Sequence, residues 1–322
     1  MLFLRRLYNL IRVLNGYLIS CVLKRPVFSG GPVAFSAEPT TSCNLRCPEC
    51  PTGQNGLTRQ GGNIDPDLFR QIADAFSPTA FYLTLYFQGE PYLHPRLFEM
   101  IRYAKSKRLV VSTSTNGHFL TEPTARETVL SGLDRLIVSV DGSDQDTYSA
   151  YRRGGELKRV LNGLKLLSEV KKELHSGKPE VVIQCLLLRS NLHQKEDIRR
   201  IGREAGADRV VFKTAQFNDF DKGNPLMPEG SASRYKAGKD LHYVIKNRLR
   251  NRCFRMWSSC VVTWDGLVVP CCFDKDANHL LGDLKHERLP DIWNSEKYMN
   301  FRKEIFRNRK SVEICRNCTQ KF

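Results

Sequence analysis

Cys43-Asn-Leu-Arg-Cys47-Pro-Glu-Cys50 follows an apolar run, Val33-Ala-Phe-Ser-Ala37, and precedes a Gly-rich loop. Three thiols this close cannot all pair with one another. They can hold three corners of one iron–sulfur cluster and leave a fourth iron without a protein ligand. Catalytic metal sites keep such an open position for a small molecule. The competing reading is a structural zinc knot. Structural zinc wants four closed ligands, and no fourth Cys or His lies close by in sequence. The nearest histidines, His94 and His118, read as satisfied loop residues.

Outward from this loop the chain alternates short β-type runs with helical ones. Strands are predicted at Val33–Ala37, Phe81–Phe87, Leu109–Ser114, Arg135–Val140, Val181–Leu187 and Arg209–Lys213. Helices are predicted near 65–76, 95–107, 121–131, 157–175 and 193–205. Six such units argue an α/β fold with a parallel sheet and helices outside. Six fall short of the eight that close a TIM barrel, so a partial, open (β/α)6 barrel is expected, with a small cysteine-rich C-terminal extension. In such folds the chemistry sits at the C-terminal ends of the strands, where the three-cysteine loop falls.

The strand-end residues carry a resemblance. The C-x3-C-x2-C loop after the first strand resembles the signature of the radical S-adenosylmethionine enzymes. Gly89-Glu90-Pro91, after the second strand, resembles the family's glycine-glutamate-proline motif, which meets the cofactor's methionine amino group. Ser139-Val-Asp141-Gly142 resembles the Ser-x-Asp-Gly segment that faces the ribose and methionyl part. Arg152 stands where related enzymes place an arginine for the cofactor carboxylate, a role that suits a rigid guanidinium fork. Asn116, in Thr115-Asn116-Gly117, is a weaker match. The resemblance spans about residues 33–216 and departs at two positions. Glu49 stands where an aromatic residue is common, and Gln88 where the first glycine of Gly-Gly-Glu-Pro is usual.

The resemblance implies S-adenosylmethionine on the open iron of a [4Fe–4S] cluster. It implies reductive cleavage of that cofactor to a 5'-deoxyadenosyl radical, which takes a hydrogen atom from substrate. An electron donor such as flavodoxin or ferredoxin is expected. The cofactor supplies the chemistry, and the protein supplies orientation and exclusion of side reactions.

A second cysteine-rich stretch holds Cys253, Cys271, Cys315 and Cys318 around a predicted hairpin, Cys260–Val262 and Leu267–Pro270. With Gly266-x4-Cys271 and the terminal Cys-x2-Cys it resembles the auxiliary-cluster extension called SPASM, in its shortened form. The full pattern continues with more cysteines, whereas this sequence stops at Phe322. That implies one auxiliary [4Fe–4S] cluster, closed and suited to electron transfer. Cys260 and Cys272 are spare and could replace a chosen ligand. A zinc ribbon fits four cysteines in two arms as well. Cys21 and Cys185 read as inert thiols on apolar faces. Tyr148, Tyr151, Trp257 and Trp264 read as core or cofactor wall. Lys213 and Gln216, ending the sixth strand, could reach substrate.

The chain of 322 residues is 41% hydrophobic, enough for a real core. Eleven cysteines, clustered rather than scattered, with no clean signal peptide, suit a reducing cytoplasm and metal ligation rather than disulfides. The net charge of +16 suits an anionic partner or is a basic solubility surface. The expected divisions are a basic amphipathic segment at 1–32, the barrel at 33–216, a basic linker at 217–252 and the auxiliary-cluster segment at 253–322. The linker carries Lys222, Arg234, Lys236, Lys239, Lys246, Arg248, Arg250 and Arg252, read as a solvated helix near 240–250, or as the border of a cavity for a phosphate-bearing substrate.

Residues 1–25 contain Arg5, Arg6, Arg12, Lys24 and Arg25 and no acid. Phe3, Leu7, Leu10, Ile11, Leu14, Leu18, Cys21 and Val22 recur at helical spacing, with Arg5, Asn9, Arg12, Gly16 and Ser20 opposite. The uncharged run Val13–Leu23 is too short to span a bilayer. The helix either lies in the interface of an anionic membrane or covers one end of the main domain. The second is the expectation, since an apolar helical face is usually buried against its own protein.

The leading function is therefore oxidative: dehydrogenation of an alcohol carbon, as in aminocyclitol alcohol dehydrogenases, or another oxidative modification. The alternatives are a redox-neutral epimerase or mutase step and modification of a peptide or carrier protein. The segment before residue 33 is too short to be a precursor-binding domain, which weighs against the peptide. A zinc-containing basic nucleic-acid-binding protein is the reading from another class. It gives no reason for Gly-Glu-Pro or Ser-x-Asp-Gly.

Overall fold

The structure is a computed structural model that describes residues 1–238 and 242–319; Lys239 of the basic run and the closing residues up to Phe322 lie outside the described residues. Helix α1 (Leu2–Leu23) precedes strand β1 (Ala34–Ala37). The chain then alternates through α2 (Pro66–Phe76), β2 (Tyr82–Thr84), α3 (Leu97–Ser106), β3 (Val110–Thr115), α4 (Glu122–Leu130) and β4 (Arg135–Ser139). A short α5 (Gln145–Tyr151) and a long α6 (Leu157–Glu173) follow, then β5 (Glu180–Leu187), α7 (Lys195–Glu204) and β6 (Arg209–Thr214). Each element forms for local reasons. In α2, Asp65 caps the backbone N–H groups of Asp67 and Leu68, and Pro66 supplies the first-turn φ. Its Phe69, Ile72, Ala73 and Phe76 form one buried face at helical spacing.

Strands β1 to β6 pair in parallel and in chain order, so the sheet curls as a partial barrel with helices outside. Its six strands match the predicted set, with ends shifted by a few residues. Phe35, Leu83, Val111, Leu136 and Ile183, all essentially inaccessible to solvent, fill the layer between the strands and the outer helices, with Phe35 stacked on Phe76 of α2.

The basic stretch departs from the expected helix. It forms an antiparallel hairpin of β7 (Tyr235–Ala237) and β8 (Tyr243–Ile245), with Tyr235 opposite Ile245. The aromatic and β-branched run Tyr243-Val244-Ile245, facing Tyr235, favours this over a helix. The buried Tyr235 hydroxyl receives the Phe217 N–H at 3.0 Å and donates to Asn317 Oδ1 at 2.6 Å, tying the hairpin to the chain's last described residues.

The C-terminal segment contains α8 (Arg255–Ser258), β9 (Ser259–Val262), β10 (Leu267–Val269), β11 (Gly282–Asp283), α9 (Leu289–Trp293) and α10 (Glu296–Asn308). The predicted hairpin is β9–β10. It does not stand apart: β9 pairs in parallel with β1, so the sheet runs on as β11-β10-β9-β1 into the barrel.

The expectation for the first helix is overturned. The face of α1 against the protein is Arg6, Asn9, Val13, Gly16 and Ser20, mostly the polar one, and the apolar stripe points outward. The polar groups are buried because the body offers them partners. Arg6 donates to the carbonyls of Ser77, Arg108 and Lys107. The Asn9 amide exchanges two bonds with Gly31, at 3.0 and 2.7 Å.

Candidate active site

The Cys43–Cys50 loop leaves the C-terminal end of β1 and folds back on itself, the Cys50 N–H donating to Cys47 O at 3.2 Å. All three thiols line one cavity of about 190 Å³ with Glu90, Asn116, Ser139 and Arg152. The ends of four successive strands thus supply one wall each. Gly89 must be glycine: its φ is +72°, and an added Cβ would lie 2.3 Å from Thr40 O. This close approach lets Glu90 N–H reach Ser42 O at 2.8 Å and sets the carboxyl against the cysteine loop.

Glu90 is fully buried. Its carboxylate accepts from the backbone N–H of Asn116 at 2.6 Å and of Tyr92 at 3.1 Å. Burial nevertheless outweighs these bonds and pushes its pKa up to about 7. Asn116 donates to Asn44 Oδ1 at 2.7 Å, joining the third strand to the cysteine loop. Arg152 lies 3.8 Å from Cys47 Sγ and is held at 2.5 Å by the inaccessible Asp141. Asp141 also accepts from Leu186 N–H at 2.6 Å, so it positions the arginine rather than facing the cavity. Burial raises Cys43 to about 11 and also raises Cys47, so these thiols ionise readily only beside a cation.

The donor set suits the implied cofactors. Three thiols offer soft sulfur to iron, a buried carboxyl without a direct cationic partner suits an ammonium, and a guanidinium suits a carboxylate. Among the described residues no three His, Cys, Asp or Glu side chains converge on a point as for one ion; these thiols surround a space. His94 and His118 are held by bonds to Ile64 O and from Glu156 N–H, away from any ligand role.

A second cavity of about 690 Å³ opens beside the first and shares Cys50, Tyr86, Gly89, Tyr151 and Leu186 with it. Lys213 and Gln216 line it, with Arg234 from the hairpin stretch and Cys272 and Lys275 from the C-terminal segment. Burial lowers Lys213, Arg234 and Lys275, as for cations facing a confined space. The one carboxylate on its wall among the described residues, Glu49, is taken: it accepts from Asn218 N–H at 2.9 Å and Asn224 Nδ2 at 2.8 Å. The acid inside the cysteine loop therefore fastens that loop to the stretch after β6.

Cys253, Cys271, Cys315 and Cys318 come within electrostatic reach of one another. The buried Arg309 donates to Cys318 Sγ at 3.2 Å and to Arg252 O at 2.8 Å. The spare thiols part company. Cys260 lies in the core of β9 beside Arg302. Cys272 is exposed to the larger cavity, with Arg255 3.5 Å away. Sequence reasoning missed Arg309, Lys275 and Tyr86. Nothing marks one arginine or lysine out of fifty basic residues, whereas the odd identity of Glu49 was a usable signal.

The Radical SAM superfamily matches residues 37–212, and the SPASM iron–sulfur cluster-binding domain matches residues 253–319. The chain is 26% identical over 297 residues to the tungsten-containing aldehyde ferredoxin oxidoreductase cofactor-modifying protein of Pyrococcus furiosus, covering 82% of each chain. It is 26% identical over 315 residues to the PqqA peptide cyclase of Gluconobacter oxydans, covering 90% of this chain and 83% of that one. In fold it is similar to the crystal structure of BtrN in complex with AdoMet and 2-DOIA, with a TM-score of 0.54, 21% identity and coverage of 90% and 93%.

Proposed function

The chain belongs to the radical SAM superfamily and carries a SPASM domain, and on that premise we propose that it oxidises a small anionic substrate held between its two cysteine sets. As a member it is an enzyme that uses S-adenosylmethionine and a [4Fe–4S] cluster, with auxiliary iron–sulfur in the SPASM domain. Bound at the first site, these groups supply hydrogen-atom abstraction. Cys43, Cys47 and Cys50 would hold the cluster. Glu90 would take the cofactor's ammonium, Arg152 its carboxylate, and Ser139 and Asn116 its ribose side. Cys253, Cys271, Cys315 and Cys318 would hold one auxiliary cluster with no open iron, which suits taking up an electron.

The observation that carries this reading is the larger cavity. It joins the wall of the first site to Cys272 and Lys275 of the C-terminal segment, and Lys213, Arg234 and Lys275 face it with no free carboxylate among the described residues. About 690 Å³ is the size of a small-molecule site. The cations favour phosphate or carboxylate on the substrate. Peptide modification is the second reading. A groove of about 420 Å³ continues past Cys50 and Lys275, room for an extended chain, and one relative is by name a peptide cyclase.

The test is anaerobic reconstitution with substrate deuterated at carbon. The reading requires deuterium in 5'-deoxyadenosine, about eight irons per chain, and a KM that rises in Lys213→Gln and Lys275→Gln. About four irons, or deuterium returned to the product, would replace it with a redox-neutral step.

A further inference from the structure

Helix α1 is inside out relative to an ordinary surface helix. Its 22 residues extend about 33 Å at 1.5 Å per residue. Its inner face is fastened by Arg6, Asn9 and Ser20, and by Gly16, whose added Cβ would lie 3.1 Å from Phe28 Cα. Phe3, Leu4, Tyr8, Leu18 and Val22 are each 60% or more exposed, and Leu7, Ile11, Leu14 and Ile19 fill the stripe between them. Phe81 abuts Phe3 with ring centroids 6.3 Å apart, and the exposed Val110 lies on the adjoining strand. A continuous apolar strip of this length on a soluble face marks an interaction surface.

Its charge says what covers it. Arg5, Arg12, Lys24 and Arg25 are all exposed on the same helix and its end, and the first acid in the chain is Glu38. Arg108 is exposed where α1 meets the end of α3. A cleft of about 620 Å³ alongside the helix is lined by Arg5 and Arg12 and, among the described residues, by no carboxylate. A second copy would bring the same cations to the same seam, on a chain of net charge +16. An apolar stripe bordered by unopposed cations suits a surface that is oily inside and anionic at its headgroups. No helix among the described residues is long and apolar enough to cross a membrane.

We propose that the outer face of α1 seats the enzyme in the interface of a bilayer bearing anionic headgroups, with the cavity mouth turned away from the lipid. The orientation follows from topology. Arg6 binds the carbonyls of Ser77, Lys107 and Arg108, which precede β2 and β3, whereas both cavities lie at the C-terminal ends of those parallel strands. The length of β3 alone, about 20 Å, separates lipid from site.

The experiment is flotation of the full, cluster-loaded chain with phosphatidylcholine vesicles, with and without 30% phosphatidylglycerol. Flotation only with the anionic vesicles is expected. L7E/L14E/L18E should abolish it, and R5A/R12A should weaken it about tenfold or more. Both variants should cleave S-adenosylmethionine in solution as the parent does, which shows that they fold. If the parent stays unbound, or binds neutral vesicles equally well, the proposal is overturned. A dimer by light scattering that L7E/L14E/L18E splits would overturn it in favour of self-association.

Discussion

The two cysteine sets are built in opposite ways. The first is a single eight-residue loop, Cys43 to Cys50, standing on one strand end, and its neighbours arrive from the next strands in order. The second gathers Cys253, Cys271, Cys315 and Cys318 from segments up to 65 residues apart, with Arg309 from the end of α10 among them. A local set depends on its loop. A gathered set depends on the whole C-terminal segment staying docked on β1. Loss of one thiol should therefore read out differently in each.

The sharpest break in this comparison is a pair of variants. Cys47→Ala should abolish 5'-deoxyadenosine formation. Cys271→Ala should leave it within a few-fold while substrate turnover is lost and iron falls by about half. Equal loss of 5'-deoxyadenosine in both would mean that the sets are not separable.

Next in size is the joint between the regions. Arg59 makes a bidentate pair with the inaccessible Glu38 at 2.9 and 2.6 Å and reaches Lys275 O at 2.7 Å. Removing one partner of a buried pair costs about 3 kcal/mol or more. Arg59→Ala should lower stability in anaerobic denaturation by that much and diminish the auxiliary iron before the first cluster's.

Glu49 joins the local loop to the stretch after β6. Glu49→Gln keeps one acceptor and should cost about 1 kcal/mol. Its mark should be a raised substrate KM with the iron content unchanged, measured by steady-state kinetics and metal analysis.

The smallest expected effect belongs to His94, in the region of the local set. Its Nε2 donates to Ile64 O at 2.9 Å and its Nδ1 accepts from Arg96 N–H at 3.1 Å, which requires the neutral ring. Burial lowers its pKa below the usual 6.5. The unfolded chain thus takes up a proton first, and stability is lost as pH falls through 6.5. Denaturation of the parent and of His94→Gln from pH 7.5 to 5.5 should show the difference: the variant loses less stability than the parent as pH falls through 6.5.

Much of the barrel was legible because its signals are local. Strand ends, Gly89-Glu90-Pro91 and the cysteine spacing each rest on a few adjacent residues. Gly89 shows why such a motif is readable: a positive φ, and a Thr40 carbonyl that would lie 2.3 Å from any Cβ, admit one residue type. The linker's departure from a helix was not legible because its basic residues mask the short β-type run Tyr243-Val244-Ile245, and because Tyr235 finds its partners at Phe217 and Asn317. The supporting cations Arg309 and Lys275 left no trace, since a basic residue beside a thiol looks like any other in a chain with fifty of them.

The sequence by itself determined the family, the α/β order of elements and the local metal loop, because each is written in spacings of a few residues. The tertiary structure alone decided where the spare thiols Cys260 and Cys272 go, what supports the second set, and which face of α1 turns inward. Helical periodicity separates an apolar face from a polar one, but does not say what covers either. The polar face is buried here because carbonyls at Ser77, Lys107 and Arg108, remote in sequence, satisfy Arg6.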